Sequence, residues 1–243
     1  MFYKREQYLN HLMELKNKTD LIKLVMGVRG AGKSTLFTLL QDELLKKGIK
    51  KEDIIHINLD EEKYSSLAVS SDLLNEIEKE SKNNENIKCL LIDEIQYIKH
   101  YETALDKLMQ SNKYSIYLSS SNRYICSEVF DRLFCAKVEY IFLSPLSLKE
   151  FMEVKDLKDI NKAFYDYLME SGFPFTLTIN DLNQKVKTIR NHIITIYERD
   201  VFTHEVIENN ELFKKFMIYI FNNFAKEISV NNIAYDVFGD NSK

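Results

Sequence analysis

Residues Gly27-Val28-Arg29-Gly30-Ala31-Gly32-Lys33-Ser34-Thr35 constrain this 243-residue chain more than any other stretch. They fit G-x-x-x-x-G-K-[ST], the pattern of a loop that cradles phosphate groups. The flanks fit as well. Leu21 to Met26 is a short apolar run that reads as a buried strand, and Thr35 to Lys47 carries Leu36, Leu39, Leu40 and Leu44 at helical spacing before Gly48. Strand, glycine turn and helix follow in the order that phosphate binding requires.

A triphosphate needs many donors and little steric bulk. Gly27, Gly30 and Gly32 admit backbone angles closed to other residues, so successive N–H groups, that of Ala31 included, converge on the phosphates. The following helix aims its positive dipole end at the same point. Lys33 is placed to reach the β- and γ-phosphate oxygens, the Ser34 hydroxyl to bind Mg²⁺, and Thr35 to neighbour the α-phosphate. The competing reading is an ordinary glycine-rich turn between a strand and a helix.

The remaining periodicity predicts alternating elements. Helices are expected over residues 3–15, 70–84, 101–111 and 128–134, and strands over 54–59, 88–92, 114–118 and 138–143. Strands that alternate with helices imply an α/β fold, here a five-stranded, mostly parallel sheet between helices. Past Pro145 the pattern turns helical, opening with the capping-box residues Ser147 and Glu150. Ala163, Phe164, Tyr167 and Leu168 share one expected helix, and Val186, Ile189, Ile193 and Ile196 another. The aromatic residues of this half fall at helical spacing and are expected to be mostly core.

Two carboxylates stand at the tip of the apolar run Leu90-Leu91-Ile92, where a parallel sheet presents its ligand edge. Asp93 suits the Mg²⁺ shell, and Glu94 suits a base that orients and polarises water. The polar segment Ser119 to Asn122 ends the fourth strand. If that strand lies between the first and third, Asn122 or Ser119 can meet the terminal phosphate or the attacking water; a plain serine-rich turn is the alternative. His11, His56, His100, His192 and His204 show no ligand spacing, and no metal beyond Mg²⁺ is implied. Cys89, Cys126 and Cys135 lack disulfide or zinc spacing and read as reduced thiols of a cytoplasmic protein. A net charge of −4 offers nucleic acid no whole-chain attraction, and no apolar run is long enough to span a bilayer.

With these residues placed, the chain resembles an AAA+-type P-loop ATPase, and more closely the prokaryotic ATPases related to the STAND NTPases. The segments that carry the resemblance are GVRGAGKST, LLIDEIQ, SSSN, Leu143 to Phe151 and Ser171-Gly172-Phe173-Pro174. It implies a core over 1–145, a helical lid over 146–208 and the start of a winged helix over 209–243. It also implies ATP as the nucleotide, with Pro174 closing the lid near the adenine; no N-K-x-D guanine motif is present. Relatives often place Gly-Arg before the fifth strand, where this chain has Ala136-Lys137. Slow hydrolysis by an isolated monomer follows, below about one turnover per second, with any acceleration expected to need a neighbouring subunit or partner and Arg132 or Arg123 the internal candidates for the missing arginine. The expected function is an ATP-hydrolysing switch coupled to lid movement, working with a second copy or a regulatory protein. The alternatives are a nucleotide-binding switch that scarcely turns over and a DNA-associated ATPase regulator.

Overall fold

The computed structural model describes residues 3–81, 86–122, 125, 128–201 and 210–239. The chain divides into two compact units, Met1–His192 and Ile193–Lys243. The expected join at 208–209 lies outside the described residues, as do Asn83, Asn84, Arg123, Cys126 and His204.

The described strands of the first unit are β1 (Ile22–Met26), β2 (Ile54–Asn58), β3 (Lys88–Asp93), β4 (Tyr114–Ser120) and β5 (Val138–Phe142). They lie in the order β2-β3-β4-β1-β5, and all four pairings are parallel. A parallel sheet must be covered on both faces, and alternation along these strands supplies two apolar surfaces. Leu24, Ile57, Leu90, Ile92, Ile116 and Leu118 face one layer. There they meet Leu73 and Ile77 of α3 (Ser70–Glu80), Leu105 of α4 (Tyr101–Gln110), and Phe130 and Phe134 of α5 (Glu128–Phe134). Val25, Leu91, Tyr117 and Ile141 face the other layer. Leu9 and Leu12 of α1 (Glu6–Glu14) cover them with Leu36, Phe37, Leu40 and Leu44 of α2 (Lys33–Lys46). From β1 the chain crosses to β2 on one side, and it later reaches β5 on the other. Such a reversal opens a crevice at the carboxyl ends of the strands.

After β5 the expected capping box forms. The Ser147 hydroxyl accepts from the Glu150 N–H, and the Glu150 carboxylate accepts from the Ser147 N–H at 2.8 Å, starting α6 (Leu148–Lys155). The same carboxylate takes a two-pronged bond from Arg5, 2.8 Å at Nε and 3.0 Å at Nη2. Arg5 Nη1 also donates to the Ser144 carbonyl at 2.6 Å. One arginine thus ties the residue before α1 to the first turn of α6. The Glu170 carboxylate accepts from both Lys155 and Lys185, joining α6 to α7 (Ile160–Glu170) and α8 (Leu182–Ile196).

The expectation that the aromatic residues of this half are mostly core does not hold. Ala163 is buried, and the Tyr167 ring meets Phe151 edge-on at 5.4 Å, but Phe164, Leu168 and Val186 are exposed. Phe221, Phe224, Tyr235 and Phe238 are exposed as well. Residues one position apart on a helix point about 100° apart, so Phe164 and Leu168 sit on a stripe beside the one that packs. Helical spacing marks an apolar stripe without saying which of two neighbours turns inward. In the second unit, Tyr197 packs edge-on to Phe213 of α9 (Asn210–Asn222), and Ser229 caps α10 (Val230–Ile233) by accepting from the Asn232 N–H at 3.1 Å.

Arg5→Ala should cost roughly 2–3 kcal/mol at neutral pH in urea unfolding. That is less than the ~3–5 kcal/mol of breaking a fully buried pair, because Glu150 keeps some exposure. Burial pushes the Glu150 carboxyl up, but Arg5 and the Ser147 N–H hold it net below its ordinary 4.5. A lowered folded pKa means that the pair contributes fully above 4.5 and fades as pH falls through the folded value. The gap between variant and wild type should therefore narrow below about pH 4; a gap independent of pH would contradict the assignment.

Candidate functional site

Gly27 to Gly32 leave the carboxyl end of β1 and enter α2 at Lys33. Gly30 and Gly32 have φ of +82° and +101°, which favours glycine. Gly27 is needed for a different reason. A Cβ there would lie 2.1 Å from the Leu143 carbonyl oxygen, so close approach excludes a side chain. Gly30 to Thr35 line a cavity of about 510 Å³, shared with Arg29, Asp60 and Glu94 and with Leu146, Val154, Pro174 and Phe175. Its size suits a small-molecule ligand. A larger hollow of about 790 Å³ beside residues 3–8 and 144–153 contains none of the residues expected at the site.

The candidate residues converge at the strand tips. The Lys33 ammonium lies 3.1 Å from Glu94 Oε1 and donates to the Gly27 carbonyl at 3.0 Å. Asp93 is fully buried; Ser119 donates to its Oδ1, and the Ser34 hydroxyl is near enough to favour the charged carboxylate. Its Oδ2 is buried with no hydrogen-bond partner among the described residues. Burial pushes the Asp93 carboxyl above its ordinary 3.8, against the pull of Ser119 and Ser34. A buried carboxylate oxygen beside a hydroxyl fits a hard divalent cation. Ser34 and Asp93 would hold Mg²⁺. The described residues contain no cluster of three or more His, Cys, Asp or Glu side chains suited to a metal. Phosphate oxygens and water would complete the shell, as Mg²⁺ usually prefers.

Glu94 adopts a left-handed backbone, φ +59°, which costs a non-glycine residue about 1 kcal/mol. Its Oε2 accepts from the Ser121 hydroxyl at 2.7 Å, the Ser121 N–H at 3.2 Å and the Gln96 amide. Burial raises the Glu94 pKa, but Lys33, Ser121 and Gln96 outweigh it and hold the carboxyl below its ordinary 4.5. Glu94 is therefore ionised at neutral pH. Gln96 is itself held by the Ser120 hydroxyl at 2.8 Å, and the Asn122 N–H donates to Ser120 Oγ at 3.0 Å.

β4 does lie between β1 and β3, which brings its polar tip to the carboxylates. Ser119 reaches Asp93, while Asn122 joins the network through its backbone. Ser121 and Gln96 contact Glu94, and residue spacing had not singled either out. Alternation was the available signal, because Ser119 and Ser121 share one face of an extended segment. His192 on α8 also enters the site, with Nε2 2.8 Å from the Arg29 carbonyl and the ring against Phe173 and Phe175. No local pattern could reveal a contact across 163 residues. Pro174 Cγ lies 3.7 Å from where a Gly32 Cβ would stand, so the proline covers the glycine loop.

Lys137 and Arg132 lie away from the glycine loop of their own chain. Lys137 immediately precedes β5, and its carbonyl accepts from Ile22 N–H at the amino edge of the sheet. Arg132 occupies the last turn of α5, which leads into that edge. A five-residue strand, about 17 Å long at roughly 3.3 Å per residue, separates this edge from the glycine loop. Neither residue is placed to serve the site of its own chain. Arg123 lies outside the described residues.

The unpartnered Asp93 oxygen gives a direct test. Asp93→Asn should raise the thermal midpoint of the nucleotide-free protein by a few degrees, as removing a destabilising buried charge worth about 1 kcal/mol would. The same change should abolish any further rise caused by Mg²⁺ in the presence of nucleotide. A lowered midpoint would mean that the carboxylate is satisfied as it stands.

Comparison with known proteins gives the family and the fold. A family model described as an AAA domain matches residues 19–152, and a second, for a domain of unknown function, matches residues 161–242. An uncharacterized protein of Haemophilus influenzae is 26% identical over 95% of this chain and 58% of its own length. One from Methanocaldococcus jannaschii is 28% identical over 95% of this chain and 53% of its own. The chain thus spans about half the length of the curated relatives it matches. Among solved structures, the Walker-type ATPase PABY2304 of Pyrococcus abyssi superposes with a TM-score of 0.58 at 12% identity, covering 98% of this chain and 89% of that one. That likeness is one of fold. The AAA match, however, spans more than half of the sequence and contains the glycine loop and both strand-tip carboxylates, so the chain belongs to the AAA family of P-loop ATPases.

Proposed function

We propose that this protein is an ATP-hydrolysing switch whose nucleotide state is read by the helical segment after β5. The observation that carries the reading is the Asp93 carboxylate, buried with one oxygen unpartnered beside Ser34 and beneath the glycine loop. Such a group is costly unless a ligand completes it. In this reading the N–H groups of Gly30, Ala31 and Gly32, with Lys33 and Thr35, hold the phosphates, while the Gly27 N–H stays on the Ser120 carbonyl at 3.2 Å and Gly27 serves by its lack of a side chain. Ser34 and Asp93 hold Mg²⁺, which would neutralise phosphate charge when bound.

The Lys33–Glu94 ion pair suits the nucleotide-free form. Phosphates would draw Lys33 away and leave Glu94, ionised and still held by Ser121 and Gln96, free to accept a proton from water. Ser121 and Asn122 at the tip of β4 would form the polar side of that water's position. Residues 1–145 act as the core and 146–208 as a lid. Support for the lid comes from the cavity wall formed by Leu146, Val154, Pro174 and Phe175 and from the contact of His192 with the loop carbonyl. The protein that reads the switch would be a second copy or a regulatory partner.

Two substitutions test the reading. Lys33→Ala should lose most ATP affinity in calorimetry, because the β,γ-phosphate charge loses its positioned cation. Glu94→Gln should keep Mg²⁺–ATP binding and slow phosphate release by about 10²-fold or more. Unchanged affinity in the first variant would remove the site assignment. Normal turnover in the second would remove Glu94 as the base, and tight binding without measurable turnover in the wild type would favour a switch that works by occupancy alone.

A further inference from the structure

The carboxyl edge holds two ion pairs of one design. Lys33 lies 3.1 Å from Glu94 Oε1, and Arg29 Nη1 donates to Asp60 Oδ2 at 3.0 Å. Each cation comes from the glycine loop or the residue that ends it. Each carboxylate follows closely on one of two neighbouring strands, Glu94 on β3 and Asp60 on β2. All four residues line the same cavity. Arg29 Nη2 also donates to the Tyr97 hydroxyl, which lies just beyond β3.

The plain reading is a clamp, in which a loop arginine fastens its own backbone to the strand tips. Three observations point further. The Arg29 side chain forms part of the cavity wall, whereas a fastening bond has no need to face the ligand space. The other guanidinium in that wall, Arg5, is committed to Glu150 and the Ser144 carbonyl, and Arg132 and Lys137 belong to the opposite edge of the sheet. Charge supplies the third. Asp60 and Glu94 lie against Arg29 and Lys33, with Asp93 beside Glu94, so a triphosphate entering this cavity meets carboxylates already placed on its cations. Asp60 is the weaker holder: its side chain is 34% exposed, against 11% for Arg29, and water screens its attraction. A phosphate group offers more charge and accepts both prongs of a planar guanidinium.

Building on the nucleotide reading above, we propose that Arg29 is the second phosphate-binding cation of this site, exchanging Asp60 for the terminal phosphate when a triphosphate binds. Asp60 then serves to keep the guanidinium paired while the site is empty. The cation that a phosphoryl transfer needs comes from the loop of the same chain, and no neighbouring copy has to supply it.

The test compares a diphosphate with a triphosphate by calorimetry on the full chain, using MgADP and the Mg²⁺ complex of a nonhydrolysable ATP analogue. Arg29→Ala should leave MgADP affinity within about threefold and weaken the analogue about 10- to 100-fold, the range of a lost charge-assisted hydrogen bond. Arg29→Lys should recover part of that affinity through charge, but little of the phosphate-release rate, because an ammonium lacks the planar fork. Asp60→Asn should hold the analogue as tightly as wild type or more tightly. Wild-type turnover per chain should not change with protein concentration. Equal losses for both nucleotides in Arg29→Ala, repeated in Asp60→Asn, would reduce Arg29 to a clamp and overturn the proposal while leaving the site assignment intact. A wild-type chain that binds neither nucleotide would remove the site assignment itself. Should Arg29→Ala fail to fold, Arg29→Lys and Asp60→Asn still separate the outcomes, since a clamp predicts that Asp60→Asn weakens both ligands.

Discussion

Asp93 carries a carboxylate with no exposed surface and one oxygen without a partner among the described residues, and the rest of the site is arranged around that unfavourable burial. The sheet order creates it. β3 is flanked by β2 and β4, so the end of β3 is enclosed by its neighbours' ends and roofed by the loop that leaves β1. A protein without a use for such a group would replace it with an apolar residue. Here the neighbouring atoms, the Ser34 and Ser119 hydroxyls and the Lys33 ammonium held by Glu94, have the chemistry to accept a cation and phosphates.

The same constraint orders the surrounding charges. Two loop cations face three carboxylates across a narrow space, and the nucleotide-free form pairs Lys33 with Glu94 and Arg29 with Asp60. Pairing keeps both cations, Glu94 and Asp60 from being left alone, and leaves Asp93 as the carboxylate that still lacks a cation. In the proposed switch it also stores the two states, because a triphosphate would change the partner of each cation. The left-handed backbone at Glu94 is a local cost that turns its carboxylate toward Lys33.

Much of this was legible in residue order, and the reason is local. Gly30, Gly32, Lys33 and Ser34 must be adjacent because one turn of backbone makes the phosphate cradle, and Asp93 and Glu94 must follow an apolar run because a buried strand ends there. The order β2-β3-β4-β1-β5 could be stated only as a condition on where β4 lies, since strand neighbours are settled by packing between distant segments. Contacts made across such distances left no spacing to find: Arg5 with Glu150, His192 with the Arg29 carbonyl, Arg29 with Asp60. Lys137 shows a different limit. Its position before β5 invites comparison with an arginine in relatives, but the strand carries it to the far edge of the sheet. Phe164 and Leu168 show a further limit, since two apolar stripes on one helix compete and only packing against α6 selects Ala163 and Tyr167.

A crystal structure of the chain with Mg²⁺ and a nonhydrolysable ATP analogue measures the central claim most directly. The account predicts a cation held by the Ser34 hydroxyl and the Asp93 carboxylate, Lys33 moved off Glu94 onto phosphate oxygens, and Glu94 still bonded to Ser121. A nucleotide bound elsewhere, or one bound in the glycine loop with the Lys33–Glu94 pair intact and Asp93 without a cation, would contradict it.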